Sequence, residues 1–259
     1  DGATSSTYTL TQAEVGKTVT ASVSYTDGEG TLETVTSAAT DTVVNVNNAP
    51  TGSVTITGTA AEGETLTVVP TALSDADGLG SFSYHWLRDG VEIISPTGST
   101  SNPDMTSYPL TEADVGSQIS VRVSYTDGEG TLETVTSAAT DTVVNVNNAP
   151  TGSVTITGTA AEGETLTVVP TALSDADGLG SFSYHWLRDG VEIISPTGST
   201  SNPDMTSYPL TEADVGSQIS VRVSYTDGEG TLETVTSAAT DAVVNVNDDP
   251  TGSVTVTGT

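Results

Sequence analysis

The residues from Asn48 to Asn147 recur from Asn148 to Asn247 with a single change, Thr142 in the first copy and Ala242 in the second. A period of about one hundred residues is too long for a solenoid unit and matches the size of one self-sufficient domain, so each copy is expected to own a hydrophobic core. Residues 1–47 match the second half of the unit, with Tyr8, Gly16 and Tyr25 falling where Tyr108, Gly116 and Tyr125 fall. Residues 248–259 restart its first half. The expected organisation is therefore the C-terminal part of a repeat over 1–47, complete repeats over 48–147 and 148–247, and the first strand of a further repeat over 248–259. Near-identical neighbours are prone to exchanging strands while they fold, and a net charge of −29 opposes this by repulsion between partly folded chains.

That charge also narrows the partners. With 34 acidic and 5 basic residues, nucleic acid and anionic membrane surfaces are disfavoured, and multivalent cations are favoured. No stretch reaches the ~20 apolar residues needed to cross a bilayer, so no direct membrane insertion is expected of this segment. There is no cysteine, which removes disulfides as a staple and leaves bound Ca2+ as the obvious substitute. No Asn-x-Ser/Thr acceptor occurs, which fits a secreted bacterial surface protein better than a glycosylated ectodomain.

Within one repeat the hydrophobic period is two almost throughout, and Gly, Asp, Asn and Pro punctuate it at the spacing of a β-sandwich. Val54-Thr55-Ile56 reads as the first strand, ending at the acidic turn Glu62-Gly63-Glu64. Leu66 and Val68 share a face of the next. Phe82, Tyr84 and Trp86 alternate with Ser83 and His85, which sets three aromatics toward a core and leaves the histidine solvated on the other face. Asp89-Gly90 supplies the pair of positive-φ residues that a tight hairpin into Val91–Ile94 requires. Thr111 to Gly116 forms a compact corner, Ile119, Val121, Val123 and Tyr125 alternate inward, and after the turn Asp127-Gly128-Glu129-Gly130 a last strand is expected from about Thr131 to Val146. No helix is expected.

Trp86 with the Arg88-Asp89-Gly90 hairpin, and Leu110 through Asp114 to Gly116, resemble the central tryptophan and the corner of immunoglobulin domains. The departures are the missing cysteine pair and Gln118 where the corner tyrosine is expected. The runs SYTDGEGTLETVTSAAT and VNVNNAPTGSVTITGTA and the loop DADGLG more closely resemble the bacterial Ig-like extender repeats of large repeats-in-toxin adhesins. The fold implied is all-β: tandem immunoglobulin-like Greek-key sandwiches without disulfides, end to end. The role implied is a Ca2+-rigidified stalk on the bacterial cell surface that holds a distal ligand-binding domain away from the cell and supports adhesion and biofilm formation.

Immunoglobulin topology determines which loops share an end. Asp75 and Asp77, Asp127 and Glu129, and the linker residues Asn47 and Asn48 gather at one pole, and Glu62, Glu64, Glu112 and Asp114 at the other. Their counterparts in the second copy are Asp175, Asp177, Asp227, Glu229, Asn147 and Asn148. Stacked end to end, the two poles would repel each other unless several Ca2+ ions, each taking six to eight oxygens, bridged them. The last linker carries Asp248-Asp249 in place of Asn-Ala, which is expected to strengthen cation binding there. The competing reading is that acidic turns merely keep a β protein soluble and that Asp-Gly pairs are turn chemistry. An EF-hand is excluded, because the twelfth position counted from Asp75 is Trp86.

An enzyme is not expected, since the only histidines are His85 and His185 and no cysteine is present. Glu62 and Glu64 on one turn lack the aromatic cleft of a glycosidase. The expected partners are the neighbouring repeats of the same chain, with any surface ligand bound by other domains. The alternative is a repeated low-affinity module for carbohydrate or protein that acts by avidity. Each copy would add roughly 35 to 45 Å of reach, at 3.3 Å rise over strands of about ten residues plus a short linker.

Overall fold

A computed structural model of the chain describes residues 4–94, 105–194, 205–249 and 251–258. The chain divides into two units, Asp1–Val144 and Asn145–Thr259. The first unit opens with a hairpin of β1 (Ser22–Thr26) and β2 (Leu32–Thr36). A complete repeat follows: β3 (Thr55–Thr57), β4 (Thr65–Val69), β5 (Ser83–Arg88), β6 (Val91–Glu92), β7 (Ser107–Pro109), β8 (Ile119–Thr126) and β9 (Leu132–Thr136). Its strands form an antiparallel sheet in the order β3-β4-β7 and a second in the order β6-β5-β8-β9. The second unit repeats the plan with β10 (Thr155–Thr157), β11 (Thr165–Val169), β12 (Ser183–Arg188), β13 (Val191–Glu192), β14 (Ser207–Pro209), β15 (Ile219–Thr226) and β16 (Leu232–Thr236). Three strands facing four, with the two central strands of the larger sheet distant in sequence, is the immunoglobulin-like sandwich expected from the residue pattern.

Alternation along β8 builds the core. Ile119, Val121 and Val123 are fully buried and Tyr125 nearly so, and the first three share a cluster with Leu66 and Val68 of β4 and Trp86 of β5. Each such side chain contributes about 1.5–3 kcal/mol by leaving water. The Trp86 indole stacks on Tyr108, with ring centres 5.5 Å apart, and donates its N–H to the Met105 carbonyl at 3.0 Å. Phe82 packs edge-on against Tyr125. The second repeat has its own cluster around Trp186 and Leu166.

The hairpin after β5 has the expected backbone, with φ of 48° at Asp89 and 79° at Gly90. His85 is engaged rather than simply solvated. Its Nδ1 lies 2.9 Å from Glu92 Oε1, and Arg122 donates to the other oxygen of Glu92 at 2.8 Å. Three strands of the sheet are thereby tied together on the outer face.

Two elements depart from the expected pattern. A 3-10 turn, Glu112–Asp114, forms the corner and recurs at Gln12–Glu14 and Glu212–Asp214, because the acid at its end folds back onto the threonine just before the turn. The last strand is shorter than the Thr131–Val146 run suggested: the regular ladder stops at Thr136. Beyond it, Val121 N–H donates to Ser137 Oγ and Ile119 N–H to Thr140 Oγ1, each at 3.1 Å. Hydroxyls stand where ladder carbonyls would, so the regular ladder is interrupted at both residues although Ser137 and Thr140 N–H still donate to Val121 and Ile119. Val144 then rejoins the sandwich in a parallel bridge with Ala61. Its N–H donates to the Ala60 carbonyl and its carbonyl accepts from Glu62 N–H, each at 3.0 Å.

Residues 251–258 form no strand. In the complete repeats the equivalent segments β3 and β10 are held by β4 and β11.

Candidate metal centre

The corner acid takes a different place from the one its sequence neighbourhood suggests. Asp114 is fully buried. Arg88 donates to its Oδ1 from Nε at 2.9 Å and from Nη2 at 2.7 Å, and Tyr108 O–H donates at 3.0 Å. Thr111 N–H and Thr111 Oγ1 occupy Oδ2 at 2.9 and 3.0 Å. The expectation that Asp114 ligates a cation does not fit this geometry, because five donors saturate the carboxylate inside the fold. Tyr108 thereby does the work of the corner tyrosine that Gln118 fails to supply.

Burial disfavours ionisation of Asp114, but the Thr111 backbone, Arg88, Tyr108 and Thr111 hydroxyl bonds outweigh it, and its pKa lies below the ordinary carboxylate value. Asp214 behaves alike. A carboxylate whose folded pKa is depressed contributes stability that is complete above its unfolded value, about pH 4, and is lost as pH falls through the folded value. The melting midpoint is therefore expected to fall more steeply with acidification below about pH 4 in the native chain than in a variant carrying Asp114→Asn and Asp214→Asn. Calorimetry across that range checks it.

At the other end of the repeat the expected loops do converge. Thr51 bridges Ser74, Gly128 N–H donates to the Asp77 carbonyl at 2.9 Å, and Asn48 N–H donates to Asp77 Oδ2 at 2.6 Å. The linker, the loop after β4 and the loop after β8 thus meet around Asp77. Gly80 and Gly128 are required there, since a Cβ on either would lie 2.0 Å from the Thr126 carbonyl oxygen or 2.5 Å from that of Asp77.

The carboxylates at this pole divide by what already holds them. Asp75 accepts Asp77 N–H on Oδ1 and Tyr125 O–H on Oδ2, at 3.0 and 2.6 Å. It shapes the loop, and burial together with this bond pushes the Tyr125 pKa well above its ordinary value. Asp127 accepts Glu129 N–H and Thr131 N–H on Oδ1. Glu129 is exposed. Asp77 and Asp127 are 5 and 6 % exposed, yet Asp77 Oδ1 and Asp127 Oδ2 are buried without a hydrogen-bond partner. Burying two carboxylate oxygens without a partner is costly.

The second unit repeats the pattern. Asn148 N–H donates to Asp177 Oδ2 at 2.6 Å, Asp175 holds Tyr225, Glu229 is exposed, and Asp177 Oδ1 and Asp227 Oδ2 are left over. The amide oxygen of Asn45 in one unit and of Asn145 in the other is likewise buried and unpartnered. These asparagines were not among the expected ligands, which were Asn47 and Asn48 and their counterparts. Asn47 and Asn147 instead donate side-chain N–H to Glu133 and Glu233 at 2.7 and 2.8 Å. The alternation Val44-Asn45-Val46-Asn47 was the available signal, because in an extended chain it places Asn45 and Asn47 on one side.

The donor set suits a hard cation. Carboxylate oxygens are what Ca2+ takes in flexible geometry, and the unpartnered oxygens of Asp77 and Asp127 in one repeat, and of Asp177 and Asp227 in the next, are the ones open to it.

The opposite pole of the second unit gathers a separate group. Carboxylate oxygens of Glu162, Glu212 and Asp248 lie within 4.8 Å of one another. Repulsion from Glu162 raises the Glu212 pKa, and desolvation, a hydrogen bond with Glu162 and repulsion from Asp248 add to it. Glu162 also accepts Val246 N–H at 3.2 Å. Asp249 is exposed and outside this group, and Glu64 and Glu164 are exposed on their turns. Glu62 and Glu112 occupy the corresponding positions in the first unit and are partly buried.

No known protein family matches the chain by sequence, and no curated protein does. Solved structures are similar at low identity. They include murine CEACAM1b (16 % identity over 74 % of this chain and all of that one, TM-score 0.27). Another is a set of tandem Ig repeats of Dlar (12 % over 77 % of this chain and 96 % of that one, TM-score 0.24). The fibronectin(III)-like modules of Clostridium thermocellum CbhA give 18 % identity over 77 % of this chain and all of that one, with a TM-score of 0.25. Among the described residues no helix is long and apolar enough to cross a membrane. The sheet order and core described above establish the chain as a tandem array of immunoglobulin-like β-sandwich repeats.

Proposed function

We propose that the chain is a length of stalk in a secreted bacterial surface adhesin, stiffened by Ca2+ bound where each linker enters its repeat, and that it projects a binding domain elsewhere in the protein. The observation that carries this reading is the pair of buried carboxylate oxygens without partners, Asp77 Oδ1 and Asp127 Oδ2, and its recurrence at Asp177 and Asp227. A cation there would satisfy oxygens that the protein leaves bare. It would also brace the linker, since Asp77 already accepts the Asn48 N–H. Identical copies add reach without adding a new specificity, which is the economy of a spacer. The Glu162, Glu212 and Asp248 group would gain in the same way, because a divalent ion turns mutual repulsion into shared coordination.

Small-angle scattering of the chain with Ca2+ and then with excess chelator tests this. The maximum dimension is expected to fall and the distance distribution to broaden when the ion is removed, because an unbraced linker samples many directions. Identical profiles in the two conditions, with no Ca2+ uptake by calorimetry, would remove the proposal.

A further inference from the structure

Asp77 is fixed at three points before any ion arrives. Its N–H donates to Asp75 Oδ1 at 3.0 Å, its carbonyl accepts Gly128 N–H at 2.9 Å, and its Oδ2 accepts Asn48 N–H at 2.6 Å. Only Oδ1 is left over. Two of these bonds come from the backbone of the linker and of a turn. The third comes from Asp75, whose other oxygen takes the Tyr125 O–H at 2.6 Å from a residue fifty positions away. Tyr125 belongs to the interior: it is 2 % exposed, and the Phe82 ring stands edge-on to it with centres 5.5 Å apart. The bond through Asp75 is therefore the one that runs from Asp77 to a packed aromatic side chain.

Asp75 itself is spoken for. Each of its oxygens already accepts a donor, and neither is among the buried oxygens without a partner. The arrangement recurs in the second copy, where Asp175 accepts Asp177 N–H at 3.1 Å and the Tyr225 O–H. Tyr225 is packed in turn against Phe182, again with ring centres 5.5 Å apart.

We propose that Asp75 and Tyr125, with Asp175 and Tyr225 in the second copy, are positioning residues for the cation site. They touch no ion and set its affinity by holding Asp77 still, so the bare oxygen is presented from the core and not from a loose loop. This inference rests on the Ca2+ reading given above. Ordering a ligand in advance removes that cost from binding, and losing an outer hydrogen-bond partner of a metal ligand typically weakens metal affinity by about 10–100-fold.

The test compares the native full chain with three variants altered in both copies: Tyr125→Phe with Tyr225→Phe, Asp75→Asn with Asp175→Asn, and Asp75→Ala with Asp175→Ala. Ca2+ affinity is read by calorimetry, and amide hydrogen exchange is followed in excess chelator. Phenylalanine keeps the ring in the core and the Asp75 charge in place but cuts the tie. It is expected to weaken Ca2+ binding by about 10–100-fold and to speed exchange at Asn48 and Asp77 while Val121 and Val123 of β8 stay protected. Asparagine can still accept the Asp77 N–H and donate to the Tyr125 oxygen, whereas alanine does neither, and both lack the charge. The asparagine variant should therefore bind Ca2+ several-fold more tightly than the alanine one. Were Asp75 a ligand, Tyr125→Phe would free an oxygen for the ion, and affinity would hold or rise. That result, or equal affinities for the asparagine and alanine variants, overturns the positioning role and leaves the site standing. A native chain that takes up no Ca2+ overturns the site itself and this inference with it.

Discussion

Asp114→Ala is expected to split the thermal melt of the chain into two transitions, one near the native midpoint and one lower by more than about 10 °C. The substitution leaves the Arg88 guanidinium, Tyr108 O–H and two Thr111 donors facing a gap where a buried carboxylate held all of them. Removing one partner of a buried ion pair costs about 3–5 kcal/mol, and a domain of this size moves by about 4–8 °C per kcal/mol. Two transitions are expected because each repeat packs its own core, around Trp86 in one and Trp186 in the other. Asp114→Glu should recover part of the loss, since Glu14 accepts the same tyrosine and threonine donors in the half-repeat. Differential scanning calorimetry on the three proteins decides it, and a single unshifted transition for Asp114→Ala would remove the corner network as a keystone.

If Ca2+ binds as proposed, its withdrawal is expected to have the second large effect. Free ligand at one hundred times its Kd stabilises a single-site fold by about 2.7 kcal/mol, so chelation is expected to lower the midpoint by about 10–20 °C. Asp127→Asn separates the ion's contribution from the loop's. The amide oxygen can still accept Glu129 and Thr131 N–H, as Oδ1 does now, while the bare anionic oxygen is gone. Paired with Asp227→Asn, it should leave the chelated protein no less stable than native and remove most of the response to added Ca2+. A full response in that variant would exclude this pole as the site. Glu162→Gln with Glu212→Gln then tests the opposite one, where a native-size response would exclude it as well.

Much of the sandwich was legible because it depends on alternation, which is a local property. Phe82, Tyr84 and Trp86 on one side of a strand, and Ile119 to Tyr125 on another, declare two inner faces, and Asp89-Gly90 declares the turn between β5 and β6. The convergence of the loops holding Asp77 and Asp127 also followed once the strand order was inferred. What could not be read was which donor each acid meets. Asp114 sits in a turn beside Glu112, and nothing nearby in sequence announces that Arg88, 26 residues earlier, bonds to it. His85 looked solvated for the same reason, its partners Glu92 and Arg122 lying on two other strands. Ser137 and Thr140 fit a strand by type, and only the register reveals that their hydroxyls replace ladder carbonyls. Asn45 was passed over because an amide in a linker carries no charge to draw notice.

The parallel bridge between Ala61 and Val144 bears on how a repeat responds to tension. Residue 61 is tethered to the repeat's N-terminal end through β3, and residue 144 leads directly out through its C-terminal end. Pulling on both ends drags the two segments past each other along their length, so the bonds from Val144 to Ala60 and from Glu62 to Val144 are loaded together in shear. Parting them requires breaking the pair at once, together with the Gly116 and Ser117 bonds to Val143, instead of peeling them one by one. The same bridge recurs at Ala161 and Val244, so each complete repeat carries its own latch against force.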